Sequence, residues 1–414
     1  MKLGYAQEII TPTIGMELIG FIPSRLNTGI EKDLQVKVLT IVNDDQYYGW
    51  LVADLLGLDI FFKETLLNKL KSNNIDLSDL QIFTTHTHSG PLCLNEKQYN
   101  SNETDKKEKD YFDYLVEQSA SALIKGIEAA KNFTYKIARS KMQDFQTNRQ
   151  DENKYYDNDI LGIEVTFDDK EKILIYSFGG HPTILNREST LISPDYVGEV
   201  SKILSKDYPF NIFFNAPCGD MSTRFTRKGS SLEELKRLAA VAANHVTLLT
   251  SKFGESKTMK SYSVRHLTYP LQYKEFDSVD VAQKKYNNAL KAFDKAKTDN
   301  ENPQKQRVLQ SVAEGSMINL MQSKQGHFKK QYDANIYIVD IDDYQIINLP
   351  SEIFSSLVKP LKADNKTWVI SLSDQYKTYL CDIDAFENNS YEALSSLYKK
   401  GEAEKMIEYI LKAK

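Results

Sequence analysis

The sequence predicts an α/β protein in which mixed β-sheets are layered with helices, with its functional side chains on strand-end loops and one α-helical insertion. Three observations predict this. Short apolar runs rich in β-branched and aromatic residues alternate with longer stretches of helical spacing. Several of those runs stop at polar, glycine-bearing loops, HTHSGP, GGHPT and NAPCGDMS, which is where α/β proteins carry their active groups. One stretch, Asp277 to Gln325, changes character to Lys, Ala, Gln and Asn at helical periodicity.

The elements follow in order. Leu34 to Val42 and Tyr48 to Ala53 read as strands about the turn-like NDDQ, and Phe61 to Leu70 has helical spacing. Leu80 to Thr85 is a short strand ending at HTHSGP. A long helix is predicted from Lys107 to Lys131, with Phe112, Val116, Leu123 and Ile127 on one face and the small Ser119 between them. Strands follow at Ile160 to Phe167, Ile173 to Phe178 and Ile212 to Asn215. Ser231 and Glu234 form a capping box for a helix reaching Thr250. The stretch 277–325 reads as a helical hairpin laid over the body. Ile336 to Leu349 supplies a strand pair, and Glu402 to Lys414 a terminal helix.

A chain of 414 residues buries a large core, and one domain over 1–414 with an insertion at 277–325 is the simplest account. No internal repeat or low-complexity linker is visible. With a formal net charge of −5 and scattered Lys and Arg, the composition argues against nucleic acid or an anionic membrane as partner. The start, MKLGYAQEIITP, lacks the apolar stretch of a secretory signal, and no run is long enough to cross a bilayer. Three cysteines, Cys93, Cys218 and Cys381, do not make a disulfide framework. A cytoplasmic protein is the expectation; the oligomeric state stays open.

Three of the six histidines lie in two of the strand-end loops. His86 and His88 are two apart, so they share a side unless the backbone turns there, as the following Ser-Gly-Pro suggests. One then binds a metal while the other faces substrate. His181, after LIYSFGG, is a second candidate ligand, and two strand-end histidines beside glycines favour convergence on a metal. The bland alternative is that all three are hydrogen-bonded loop histidines. In NAPCGDMS, Gly219 permits close approach, Asp220 braces a turn or ligand, and Ser222 is a nucleophile, a substrate-binding hydroxyl or merely a helix cap. Arg149 has the default of a surface charge. The cysteines, each near a site motif, read as small residues filling tight space rather than as ligands.

An ordered series of motifs carries a resemblance. IITPTIG, IEKDLQVKVLTI, VADLLGL, TTHTHSGP, NRQ, FGGHPT, ISPDYVG, NAPCGDMS, NLPSEIF, YKTYLCD and NNSYEA run along nearly the whole chain. Together they resemble the catalytic domain of the neutral/alkaline (non-lysosomal) ceramidase family. The resemblance implies a Zn2+ site made by His86, His181, Glu352 and Tyr379. It implies that His88 faces substrate, that Arg149 is the cationic group near the scissile carbonyl, and that Ser222 and Tyr391 belong to the catalytic site. The reaction it implies is hydrolysis of an N-acyl linkage in a lipid or smaller substrate by metal-activated water, or in a variant mechanism by Ser222. Ester or phosphoester hydrolysis on the same frame, and a non-catalytic ligand-binding relative, are the alternatives.

The chain departs from the family in places. Thr223-Arg224 stands where Pro-Asn usually follows the GD-x-S turn, and Thr378-Tyr379 where the family has Gly-Tyr. The export signal and C-terminal immunoglobulin-like domain of the secreted ceramidases have no counterpart in the sequence. These departures bear on ceramide as substrate rather than on hydrolysis. The helical insertion, with Tyr286, Leu290, Phe293, Leu309 and Met317 as packing residues, is expected to roof the pocket and favour a smaller N-acyl compound.

Overall fold

The structure is a computed structural model that describes residues 1–93, 106–326 and 330–414. Three four-stranded mixed sheets dominate it. The first pairs Lys2–Ile9, Gln35–Asn43 and Gln46–Ala53 antiparallel, and adds Asp79–Thr84 parallel to the third strand. The second does the same with Phe133–Lys141, Asp159–Phe167, Lys172–Gly179 and the parallel Phe210–Ala216. The third repeats the pattern with Tyr262–Gln272, Gln331–Ile341, Tyr344–Asn348 and the parallel Thr367–Ile370. Between third and fourth strands run the helix Ile60–Ser72, the helix Tyr196–Leu204 and, in the last unit, a 3₁₀ turn at Lys359–Lys362. The molecule is thus built three times on one strand plan, a repeat the sequence does not reveal.

Alternation along the strands explains how the units meet. One face of every sheet contributes to a shared aromatic-rich core holding Leu39, Trp50 and Phe83 from the first, Leu161 and Phe214 from the second, and Val339 and Trp368 from the third. Edge-to-face rings (Trp50 and Phe83 each against Phe214) lock the first two sheets together. Helices cover the outer faces: Ile60–Ser72 and Lys106–Glu128 on the first sheet, and Tyr196–Leu204 and Leu232–Thr250 on the second. The terminal helix Glu402–Ala413 packs on the third.

The elements read from the sequence are present with ends shifted by a few residues. The buried face of Lys106–Glu128 runs through Tyr111, Leu115, Ser119, Leu123 and Gly126. Phe112 and Ile127 therefore flank the interface instead of centring it. Ser231 caps Leu232–Thr250 through Glu234 N–H, but the Glu234 carboxylate turns to Lys228 N–H (2.8 Å) rather than closing a reciprocal box. The stretch 277–325 forms two helices, Val279–Thr298 and Pro303–Gln325. They are the connection between the first two strands of the third sheet. Among the described residues no helix is long and apolar enough to cross a membrane.

Candidate metal centre and active site

His86 follows the fourth strand of the first sheet in a left-handed conformation (φ 73°). The backbone turn that the following Ser-Gly-Pro suggested is at His86 itself, and it swings His88 away: the two rings stand nearly perpendicular, centroids 5.1 Å apart. Backbone bonds from His86 N–H to Leu55 O (2.9 Å) and Thr85 N–H to Ala53 O (3.0 Å) fix the turn. His181 follows the third strand of the second sheet by two residues. Glu352 begins a two-residue strand beside the third sheet, parallel to Tyr379–Leu380, so that Glu352 and Tyr379 are register partners.

These elements bring three buried polar atoms together. Glu352 Oε2 lies 3.2 Å from His86 Nε2 and 3.2 Å from His181 Nε2. None of the three has a hydrogen-bond partner. The other nitrogen of each ring is engaged by a backbone carbonyl: His86 Nδ1 by Leu56 O (2.8 Å) and His181 Nδ1 by Cys218 O (3.2 Å). Those carbonyls require Nδ1–H, which leaves the Nε2 lone pairs facing a carboxylate. Burial pushes the His181 imidazole down to about 4, so near neutral pH its Nε2 carries no proton. Facing lone pairs in a dry site need a cation, and two imidazoles with a carboxylate are a donor set suited to zinc. Each ligand is also oriented from behind, as metal ligands are, with Tyr376 O–H donating to Glu352 Oε1 (2.6 Å).

His88 is close enough to join the group, for the ligating atoms of His86, His88 and His181 lie within 4.8 Å of one another. It differs in one respect. Neither of its ring nitrogens has a partner, so no carbonyl fixes its tautomer. Burial holds it well below its ordinary value, neutral. Its ring rests on Gly20, where an added Cβ would fall 2.4 Å from His88 Nδ1 and where φ is +97°.

Arg149 and Ser222 are set by a second small ladder, Thr147–Asn148 against Met221–Ser222, and by Arg149 N–H to Asp220 O (2.7 Å). The Arg149 guanidinium pairs with Glu392 (2.9 Å), donates to the Tyr379 hydroxyl (3.3 Å) and lies over the Tyr379 and Tyr391 rings. Burial opposes its charge, but Tyr379 and Glu392 overcome that and raise its pKa. Its default reading as a surface charge is therefore wrong. Ser222 does not cap a helix: its Oγ accepts from Arg224 N–H (2.9 Å), and the next helix begins at Leu232. Asp220 carries the brace, taking Ser355 N–H (2.7 Å) and Ser355 O–H (2.9 Å). Burial pushes its carboxyl up to about 7. The three cysteines are buried free thiols.

Above these groups opens a cavity of about 560 Å³ lined by His88, Arg149, His181, Ser222, Glu352, Tyr379 and Tyr391. All the site residues read from the sequence meet there except His86, which lies fully buried behind His181. The helix Pro303–Gln325 lines it with Arg307, Gln310, Glu314, Ile318 and Met321, residues three or four apart and so on one face. An adjoining face packs on the helix Tyr391–Ser395, where Gln322 donates to Ser395 O (2.8 Å). Tyr376, Glu392, Gly20 and the arginines of that wall were not singled out from sequence. Tyr376 lay within reach, three residues before Tyr379 in one motif.

No family model matches this sequence, and no curated protein matches it. Solved structures do. Neutral ceramidase from Pseudomonas aeruginosa superposes with a TM-score of 0.77 at 14% identity, over 99% of this chain and 73% of the other. A ceramidase complexed with C2 gives 0.73 at 13% identity, over 98% and 73%. Over nearly its whole described length, the chain has the fold of neutral ceramidase.

Proposed function

We propose that the chain is a zinc-dependent hydrolase that cleaves an N-acyl amide bond with water. The observation that carries this is the buried convergence of His86 Nε2, His181 Nε2 and Glu352 Oε2, none of which has a hydrogen-bond partner. The shared fold supports the choice of an amide over an ester or phosphoester. Zinc bound there lowers the pKa of water and polarises a carbonyl.

The chain's own residues do the rest. Tyr379, whose hydroxyl already accepts from Arg149, keeps its O–H free to donate; it completes the site as a fourth donor or as a hydrogen bond to the oxyanion. Arg149, fixed by Glu392, supplies positive charge where the tetrahedral oxyanion develops, and a positioned donor of this kind lowers a barrier by about 2.7–4 kcal/mol. His88, neutral and unpaired, can take a proton from water and give it to the leaving amine. Ser222, with its oxygen held by Arg224 N–H, and Tyr391 hold the substrate. The substrate is ceramide or a smaller N-acyl compound, and the helix over the cavity favours the smaller.

Purified protein should hold about one zinc per chain. His86→Ala and His181→Ala should lose both metal and amide hydrolysis, while Ser222→Ala keeps the metal and loses most of kcat. Stoichiometric zinc in either histidine variant would refute the ligand assignment.

A further inference from the structure

The cavity lining is unusually cationic. Five guanidiniums line it (Arg149, Arg187, Arg224, Arg227 and Arg307), against three carboxylates. Two of those carboxylates are already committed: Glu352 belongs to the metal donors, and Glu314 is taken by Arg187 and by Arg307 (3.3 Å). The third, Glu188, is exposed and forms no ion pair among the described residues. Arg149 has Glu392. That leaves Arg224 and Arg227. Among the described residues neither has a carboxylate within ion-pair reach. Each spends one N–H on a backbone carbonyl, Arg224 Nη1 on Arg149 O (2.7 Å) and Arg227 Nη1 on Thr183 O (2.7 Å). Arg224 is half-buried, and burial with repulsion from Arg149 and Arg307 lowers its pKa to about 9. Asp195 and Glu234 for Arg227, and Glu392 for Arg224, ease this only from a distance; like charges gathered in a partly desolvated pocket without a contacting carboxylate are unfavourable, and a ligand anion relieves that.

The position of the pair fits substrate rather than folding. Arg224 is two residues from Ser222 and hydrogen-bonded to the backbone of Arg149, so its guanidinium stands one side chain from the groups assigned to catalysis. Phe21, Ile22, Leu56, Ile318 and Met321 give the same cavity an apolar wall as well. An acyl chain belongs on that wall, and the opposite end of the molecule then meets the arginines.

We propose that the compound cleaved here is an N-acyl amine whose amine half carries an anion, a carboxylate or a phosphate, held by Arg224 and Arg227 with Arg307 beside them. This rests on the hydrolase reading above. Water adds to the amide carbon, the C–N bond breaks, and the amine leaves with a proton; the products are a fatty acid and an anionic amine such as an amino acid. A guanidinium forks onto carboxylate or phosphate through two parallel N–H bonds, which no neutral head group replaces.

The test compares matched pairs on zinc-loaded full-length protein: N-octanoylglycine against its neutral amide N-octanoylglycinamide, and N-octanoylphosphoethanolamine against N-octanoylethanolamine. Calorimetric binding and kcat/KM are both measured. The anionic member of at least one pair should bind and react at least about tenfold better, and whichever pair discriminates more identifies the anion. Arg227→Gln should collapse that ratio, mainly through KM, with zinc content and melting temperature retained, and Arg227→Glu should invert it. If anions bind selectively but no amide is turned over, the anion site stands and the hydrolase reading falls. Equal treatment of charged and neutral members, or a preference that survives both Arg227→Gln and Arg224→Gln, would overturn the proposal.

Discussion

Thr378 sits where the backbone is left-handed (φ 57°), immediately before Tyr379. It is 4% exposed, and its hydroxyl is buried without a partner. Its carbonyl receives Glu352 N–H (3.0 Å), so this unfavourable residue helps to set the Glu352–Tyr379 register. Replacing it with Gly removes two penalties: roughly 1–2 kcal/mol for a side chain in the left-handed region and about 1–3 kcal/mol for an unsatisfied buried hydroxyl. Against this stand the loss of a buried methyl, ~0.8 kcal/mol, and the greater freedom of Gly in the unfolded chain, ~0.5–1 kcal/mol. The balance favours Thr378→Gly by about 1–3 kcal/mol. With an unfolding entropy near 2.1 cal/mol/K per residue over a chain this long, that is a rise of about 1–3 °C in Tm. Thr378→Ala separates the two terms, since it discards the hydroxyl and keeps the left-handed Cβ; it should lie between wild type and Gly. Differential scanning fluorimetry of the three proteins, metal-loaded, resolves such steps. A glycine variant no more stable than the alanine variant would refute the strain argument.

Two further predictions concern the same neighbourhood. Gly20→Ala has no room beside the His88 ring and imposes a Cβ at φ +97°; it should displace His88 and cut kcat at least about tenfold while zinc content holds, and an unchanged rate would remove His88 from the mechanism. Asp220 has a folded-state pKa near 7 against 3.8 when unfolded, so its contribution to stability is fully present below pH 3.8 and is lost as pH rises through 7, by at most about 4 kcal/mol. Asp220→Asn keeps the shape and can still bond Ser355 without that titration. Its Tm relative to wild type should therefore climb between pH 4 and 7, and parallel Tm–pH curves would contradict the assignment.

What the sequence disclosed and what it hid divide along physical lines. The central strands, Gln35–Asn43, Asp159–Phe167 and Lys172–Gly179, are dense in apolar residues because neighbours cover them on both sides, and they were readable. The first strand of each sheet was not: Lys2–Ile9, Phe133–Lys141 and Tyr262–Gln272 are edge strands whose outward residues are polar (KLGYAQEI is one), which blurs the two-residue period. The threefold repeat escaped notice because it lies in strand order and not in residue identity. At the site, His86, His181 and Ser222 were legible as unusual residues in loops, and Arg149 only through the family resemblance. Glu392 was not, since a carboxylate gains meaning only from the guanidinium it faces. Arg224 and Arg227 likewise look like scattered surface charges until folding places Arg307 beside them.

The threefold plan also explains why a donor set and a selective wall occupy one place. Loops at the ends of equivalent strands meet at a single buried residue, Asn215. Its amide donates to Thr85 O (3.1 Å) and Gly180 O (2.8 Å) and its Oδ1 accepts from Gly180 N–H, while its own carbonyl takes Ser371 N–H (2.9 Å). All three sheets are thereby tied just behind His86, His181 and the Glu352 loop. The proposed metal donors are oriented by backbone carbonyls that the fold itself supplies, and this amide holds the loops behind them. Part of the cavity wall comes from a different set of equivalent segments, the connections between first and second strands: residues 19–24 in the first unit, Arg149 in the second, and the long helix with Arg307, Ile318 and Met321 in the third. Such connections tolerate change in length and composition because they bear little of the core. Arg307, Ile318 and Met321 can therefore vary without disturbing the strand ends that carry the proposed donors, whereas Arg224 and Arg227, in the loop after the fourth strand of the second sheet, are tied to the same strand end as Ser222.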